Sequence, residues 1–309
     1  MQRSFKDYFV ISLKGLAMGA ADVVPGVSGG TIAFISGIYE ELITSINNVS
    51  FGLIKTFTKQ GFKAGWKQLN GNFLLALFIG IGVSIISLAK GLKWLLENEP
   101  ILLWSFFFGL VLASIIFVGK QITKWNIATV LVLIIGAFIA FYITTLPSLT
   151  ANDSNWFLFI AGALAICAMI LPGISGAFIL VLLGAYGPVL DALNNRDIKT
   201  LTIIGCGAII GILSFSKLLK WLFKHYHNLT LAVLTGFIFG SLNKIWPWKK
   251  VITTRLNSKS IEVPVIEESI SPMAYTGESK IAFAIVLMAI GFLTILVLEK
   301  LGNKSVNNK

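Results

Sequence analysis

The stretch Pro25-Gly26-Val27-Ser28-Gly29-Gly30 returns 147 residues later as Pro172-Gly173-Ile174-Ser175-Gly176-Ala177, and each copy lies between strongly apolar stretches. The match runs on, since Gly37-Ile38-Tyr39 reappears as Gly184-Ala185-Tyr186 at the same offset. A helix-breaking Pro-Gly followed by Ser-Gly, set at the start of an apolar helix in each half of a membrane chain, points to a substrate site between two related halves.

Composition supports a membrane chain. Of 309 residues, 56% are hydrophobic and 13% charged, and the mean hydropathy is +0.83. A soluble domain carries nearly twice that share of charge. The net charge of +11 does not indicate nucleic acid, because the basic residues are spread through short loops, where they act as topology signals. Cys167 and Cys206 lie far apart in apolar stretches and indicate neither a disulfide framework nor a metal site. The first apolar segment runs into the first motif and not into a small-residue cleavage site, so no signal peptide is expected.

Apolar segments cover about 9–24, 27–46, 71–88, 101–119 and 127–145, then 156–171, 174–191, 201–223, 229–247 and 281–298. Five per half is odd, so the second half is expected to enter the membrane upside down. The first repeat is residues 1–149, with a hairpin over 9–46 and three transmembrane helices; the second is 150–309, with its hairpin over 156–191. Lys90-Gly91-Leu92-Lys93-Trp94-Leu95 matches Lys217-Leu218-Leu219-Lys220-Trp221-Leu222 at an offset of 127, Gly109 matches Gly236 at the same offset, and Gly136 matches Gly291 at 155. The expected fold is an all-α polytopic membrane protein of two inverted repeats, each a Pro-Gly-broken hairpin plus three spans. A broken helix, two tightly joined spans and a re-entrant hairpin all remain open; the re-entrant hairpin is favoured, with its tip near the midplane.

Loop charge sets the orientation. Arg3 and Lys6, the loop with Lys55, Lys59, Lys63 and Lys67, the loop with Lys120 and Lys124, the loop with Lys224, and the tail with Lys300 and Lys304 all fall inside when the N-terminus is cytoplasmic. The joining loop, with only Asp153, falls outside. So does the 248–279 loop, where Lys249, Lys250, Arg255 and Lys259 are partly offset by Glu262, Glu267, Glu268 and Glu278.

At each tip proline removes a donor that a first helical turn does not need, and glycine lets a ligand approach the backbone. Free N–H groups from Val27 to Gly30 and from Ile174 to Ala177, with the Ser28 and Ser175 hydroxyls, make a candidate anion site. The candidate headgroup residues are Gly26, Val27, Ser28, Gly29, Gly30 and Thr31, with Gly173, Ile174, Ser175, Gly176 and Ala177. The alternative is that both serines only cap their helices and the glycines only allow close packing. Asp22, which Met169 replaces in the second copy, is a candidate for proton coupling or else an N-cap. Lys14, Lys90 and Lys217 are candidate phosphate-attracting cations, against a reading in which they reach to lipid headgroups. His225 and His227 have no carboxylate cluster around them, and neither serine has a histidine base nearby. No catalytic residue, metal or cofactor is therefore expected.

These two stretches, Gly19 through Thr31 continuing into Gly37-Ile38-Tyr39-Glu40, and Leu171 through Phe178 continuing into Leu183-Gly184-Ala185-Tyr186, resemble the bacterial polyprenyl-phosphate (undecaprenyl-phosphate) transporter family over essentially the whole chain. The resemblance implies a flippase of the bacterial cytoplasmic membrane that returns the carrier lipid's phosphate from outer to inner leaflet for cell-envelope polymer synthesis. Coupling to a proton or sodium gradient is compatible with it. The partners expected are the polyprenyl-phosphate lipid and the bilayer, without nucleic acid. A small-anion transporter or channel, and a non-transporting assembly factor, are the rival readings.

Overall fold

The computed structural model describes residues 3–24, 27–149, 152, 154–256 and 262–307; Pro25, Gly26, Asp153 and Lys259 lie outside them. The chain opens with α1 (Phe5–Val23), whose N-terminus is closed by a Ser4–Asp7 capping box. After the first motif come α2 (Gly29–Ile35) and α3 (Tyr39–Asn47). The single arm expected over 27–46 is thus two helices. Gly37 causes the break: with φ at 71° it lets the Gly37 N–H reach the Phe34 carbonyl at 3.1 Å and the Ile38 N–H reach Ala33 at 3.0 Å. This double bond across a left-handed residue ends a helix, and glycine adopts it without a Cβ penalty.

α2 runs back along α1. Asp22 Oδ1 accepts from the Gly29 N–H at one end, and Lys14 Nζ donates to the Ser36 carbonyl at the other. The chain then returns to the end at which it started, because Arg3 makes a two-pronged contact with Glu41 at 2.6 and 2.7 Å, and Asn70 donates to the same carboxylate.

The segment expected as a basic loop contains two further helices, α4 (Phe51–Gln60) and α5 (Phe62–Leu69). They place Lys55, Lys59, Lys63 and Lys67 beside exposed Phe51 and Phe62, the composition of helices that lie in a headgroup layer. Three long helices follow: α6 (Gly71–Asn98), α7 (Pro100–Gln121) and α8 (Ile127–Thr145).

The second half opens with α9 (Asn155–Ile170), α10 (Gly176–Leu182) and α11 (Tyr186–Asn194). The arm expected over 174–191 is again two helices, bent by 109°. The break has the same chemistry, with Gly184 at φ 71° and bonds from Gly184 N to Val181 O and from Ala185 N to Leu180 O. Then come α12 (Ile198–His225) and α13 (His227–Ser241), which a short 3-10 turn extends to Ile245, and finally α14 (Ile281–Asn307). The expected 248–279 loop holds a two-stranded antiparallel hairpin, β1 (Lys249–Leu256) with β2 (Glu262–Ser269), paired from Lys249↔Ser269 to Leu256↔Glu262.

The architecture is that of an α-helical polytopic membrane protein. Among the described residues five helices are long and apolar enough to cross a bilayer: α6, α7, α8, α12, and α13 with its 3-10 extension. α9 and the 281–296 part of α14 are apolar but shorter.

Glycines set how these helices pack. A Cβ on Gly15 would fall on the Leu77 carbonyl of α6, and one on Gly162 would fall on the Ile204 carbonyl of α12. Gly80 faces the Ser12 carbonyl of α1 as Gly207 faces Phe159 of α9. Gly109 of α7 meets Met288 of α14, while Gly236 of α13 meets Leu133 of α8. Gly136 of α8 meets Val233, and Gly291 of α14 meets Phe106. In each pair the second contact follows from the first by the sequence offsets of 147, 127 and 155. Lipid provides no hydrophobic drive between helices, so small residues that let backbones touch decide which helices pair. α8 and α13 run parallel, because Gly236 meets Leu133 while Gly240 meets Ala137.

Candidate functional site

The two tips meet directly. The Ser28 hydroxyl donates to the Met169 and Leu171 carbonyls at 3.1 and 3.3 Å, and the Gly173 N–H donates to Thr31 Oγ1 at 2.9 Å. Gly30 makes this approach possible: a Cβ there would fall on the Ile170 carbonyl oxygen and come within 2.9 Å of the Met169 oxygen. Val27, Ser28 and Thr31 are all about 1% exposed. Ile174, Ser175 and Gly176 are buried at the same junction, and Ala177 is exposed at its edge.

The copies differ in chemistry. In the first, the Asp22 carboxylate accepts from the Gly29 N–H at 2.7 Å and Ser28 Oγ accepts from the Gly30 N–H at 3.1 Å, so the α2 N-terminus is capped from within. In the second, the residue in Asp22's place is Met169, and no side chain caps α10. Ser175 makes no side-chain hydrogen bond among the described residues. Among the described residues no side chain engages the hydroxyl or the first-turn N–H groups of the second copy, whereas those of the first are used.

Of the candidate cations, Lys14 is tied to the α2 C-terminus through the Ser36 carbonyl at 2.6 Å, which satisfies an orphan carbonyl of that helix. Lys90 and Lys217 sit at matching positions, nineteen residues into α6 and α12, and are exposed. Among the described residues neither is bonded to a tip. Gly26 lies outside the described residues. Among the described residues no group of three or more His, Cys, Asp or Glu side chains is placed to hold a metal.

A second polar cluster escaped the sequence reading. At the end of the α13 extension, Lys244 Nζ lies 3.3 Å from Glu267 Oε2, and Lys249 Nζ lies 3.5 Å from the same oxygen. Lys244 stands over the Phe178 ring of α10 and Lys249 over Trp104 of α7, at 5.1 and 4.9 Å from the ring centres. Burial pushes the Lys249 ammonium down to about 8, against the pull of Glu267. Burial works to raise the Glu267 carboxyl, and the two ammonium groups outweigh it, holding it below the usual carboxylate range. Only the run of loop charges hinted at this cluster in the sequence, since its members are brought together by the β-hairpin and the helix ends.

Comparison with known proteins agrees with the tip motifs. Residues 18–263 match the family model described as undecaprenyl phosphate translocase-like. A polyprenyl-phosphate transporter of Vibrio cholerae serotype O1 is 47% identical over 302 residues, covering 96% of this chain and 98% of the relative. A polyprenyl-phosphate transporter of Staphylococcus aureus is 33% identical over 253 residues, covering 76% of this chain and 85% of the relative. No solved structure matches the chain. With the family model spanning most of its length and a near full-length relative at this identity, the chain belongs to the undecaprenyl phosphate translocase-like family.

Proposed function

We propose that this chain moves polyprenyl phosphate across the bacterial cytoplasmic membrane, returning the carrier lipid from the outer to the inner leaflet, and that it acts as a transporter and not as an enzyme. The relatives' names support the substrate class. The observation that carries the reading is the junction of the two motif tips, where Ser28, Thr31 and the backbone of Gly173 hold the halves together through a few hydrogen bonds. Phosphate oxygens offer acceptors of the same kind as the Met169 and Leu171 carbonyls. A headgroup at this junction can therefore replace the bonds it breaks. The prenyl tail stays in lipid, so only the phosphate needs a polar path.

The reading includes two inverted repeats, 1–149 and 150–309. Their support is the set of glycine contacts that map onto one another by the sequence offsets. Parallel α8 and α13 fit this arrangement: the last span of one half runs with the penultimate span of the other, as inversion requires. The basic loops support a cytoplasmic position for both termini. Headgroup contacts are assigned to residues 26–31 and 173–177, with Ser175 as the open hydroxyl. Asp22 is the coupling carboxylate: beside the first tip a negative carboxylate repels a phosphate dianion, and a proton removes that repulsion. Lys14, Lys90 and Lys217 draw phosphate toward the membrane.

The test is exchange of a short-chain polyprenyl phosphate in proteoliposomes, read by headgroup access to an external phosphatase under set proton and sodium gradients. Exchange above empty vesicles that falls in S175A supports the reading. Exchange of small anions alone would favour an ion transporter, and no exchange of either would favour an assembly factor.

A further inference from the structure

We propose that Lys244 and Lys249 form a capture site for a phosphomonoester group on the face opposite the N-terminus, with Glu267 as the internal carboxylate that the phosphate displaces. The inference rests on the transport reading above and adds to it a second site, away from the junction of the tips.

Five elements from both halves build the cluster. Lys244 comes from the extension of α13, Lys249 from β1, Glu267 from β2, Trp104 from α7 and Phe178 from α10. Trp246 and Trp248 fix the hairpin in place by donating to the Ile270 and Ser279 carbonyls, while Trp246 packs on Phe108. The lysine side chains are 26% and 12% exposed and that of Glu267 is 25% exposed, so the cluster is screened from water yet open to it.

Two cations share a single carboxylate oxygen, which among the described residues leaves one positive charge uncompensated in a partly buried place. The distances show that this is no optimised ion pair. Lys280 and Glu99 approach to 2.6 Å, and Arg3 and Glu41 to 2.6 Å, within the range of strong charged hydrogen bonds. The Lys244 and Lys249 contacts, at 3.3 and 3.5 Å, are longer. Lys249 makes its short bond, 2.6 Å, to the Lys244 carbonyl, which aims its ammonium toward Lys244. The cation–π contacts with Phe178 and Trp104 hold both ammonium groups without neutralising them. A phosphomonoester carries a charge of about −1.5 to −2 at pH 7 and three acceptor oxygens. It matches two lysines better than one carboxylate does.

The position suits capture before transfer. Gly173 of the second tip lies against Ile238 and Ser241 of α13, and Lys244 is three residues beyond Ser241. Phe178, under Lys244, is two residues past Gly176. A phosphate held by the two lysines is therefore next to the uncapped second copy, and on the side that the loop charges place outside.

Binding of a short-chain polyprenyl phosphate and of inorganic phosphate to the full chain in lipid nanodiscs tests this, with melting temperature read on the same samples. K244Q and K249Q are expected to weaken binding about tenfold each, the loss of one charged contact, while K249R restores it. E267Q is expected to tighten binding severalfold, an outcome that a purely structural ion cluster does not give. Lysine variants that bind the lipid as wild type does, or an E267Q variant that binds more weakly, overturn the proposal while leaving the transport reading intact. Lysine-dependent binding of inorganic phosphate without any lipid exchange supports the phosphate site and overturns the lipid reading. Wild type that binds neither compound overturns both.

Discussion

The two motif serines occupy equivalent sequence positions, yet their removal should have unequal effects. Ser28 is 1% exposed, accepts from the Gly30 N–H and shares its own proton between two carbonyls of the other tip. Loss of the cap costs about 1 kcal/mol, and loss of the bond between tips about 1 kcal/mol more. S28A is thus expected to lower stability by about 2 kcal/mol, a fall in melting temperature of roughly 3 °C for a chain of this length. Ser175 is 6% exposed and its hydroxyl makes no hydrogen bond among the described residues, so S175A removes none and should melt with wild type. Only the inter-tip share of the S28A cost separates joined from parted tips, since the cap persists in both. That share, about 1 kcal/mol, shifts the balance toward parted tips by about fivefold. Intrinsic tryptophan fluorescence on heating measures the first effect, and headgroup exchange in proteoliposomes the second. S28A should melt early and still exchange lipid, whereas S175A should melt normally and exchange slowly. Equal melting losses in the two variants would refute the assignment of different roles.

Three further outcomes follow from the same geometry. D22A should lose about 1–3 kcal/mol of stability by orphaning the Gly29 N–H; D22N keeps an acceptor and should melt near wild type, yet make exchange insensitive to an imposed proton gradient. G30V should cost about 1–3 kcal/mol or prevent assembly, because its side chain must displace the Ile170 backbone; G82A and G205A, with open space at the Cβ, should be neutral by thermal unfolding. Phosphate binding at the lysine cluster should weaken as pH rises through about 8, where Lys249, faced by the charged groups Lys244 and Glu267, loses its proton. K249R should remove that alkaline limb, and an unchanged limb in K249R assigns the titration to another group.

Much of the helical plan was legible because a bilayer imposes it. Segments such as 71–88, 101–119 and 127–145 could be read from hydropathy alone, and the matched glycines Gly109, Gly236, Gly136 and Gly291 already marked where backbones touch. The breaks at Gly37 and Gly184 were visible as a repeated residue but not as helix ends, since the sequence on both sides is apolar. α4 and α5 were hidden because their lysines, interleaved with aromatic residues, give a mixed composition that reads as loop. The β-hairpin was hidden for a related reason, as its mixed polar sequence follows no lipid hydropathy.

For the candidate site, the two motif tips were legible in the sequence and their side-chain contacts were not. Two Ser-Gly tips suggested two equal anion sites, and the replacements of Asp22 by Met169, of Gly30 by Ala177 and of Thr31 by Phe178 were the signs that they differ. Matched spacing made Lys90 and Lys217 candidates, but spacing cannot tell a lysine that faces the tips from one that faces outward. Lys244, Lys249 and Glu267 converge only through the tertiary fold.

The inequality of the tips gives the proposed path a direction of charge. At the first tip the donors are occupied and a carboxylate is present; at the second no side chain caps the helix, and Lys244 stands over Phe178 in its first turn. A phosphate arriving from the lysine side meets favourable potential up to the second tip and unfavourable potential at Asp22. A symmetric pair of tips would bind the headgroup equally on both sides and give a proton no point at which to act. With Asp22 in one copy only, the barrier lies on one side of the junction, and neutralising a single carboxylate lowers it. On this reading Met169 matters as much as Asp22. M169D should cap the second tip, repel the phosphate where it first lands, and slow exchange more than it destabilises the fold.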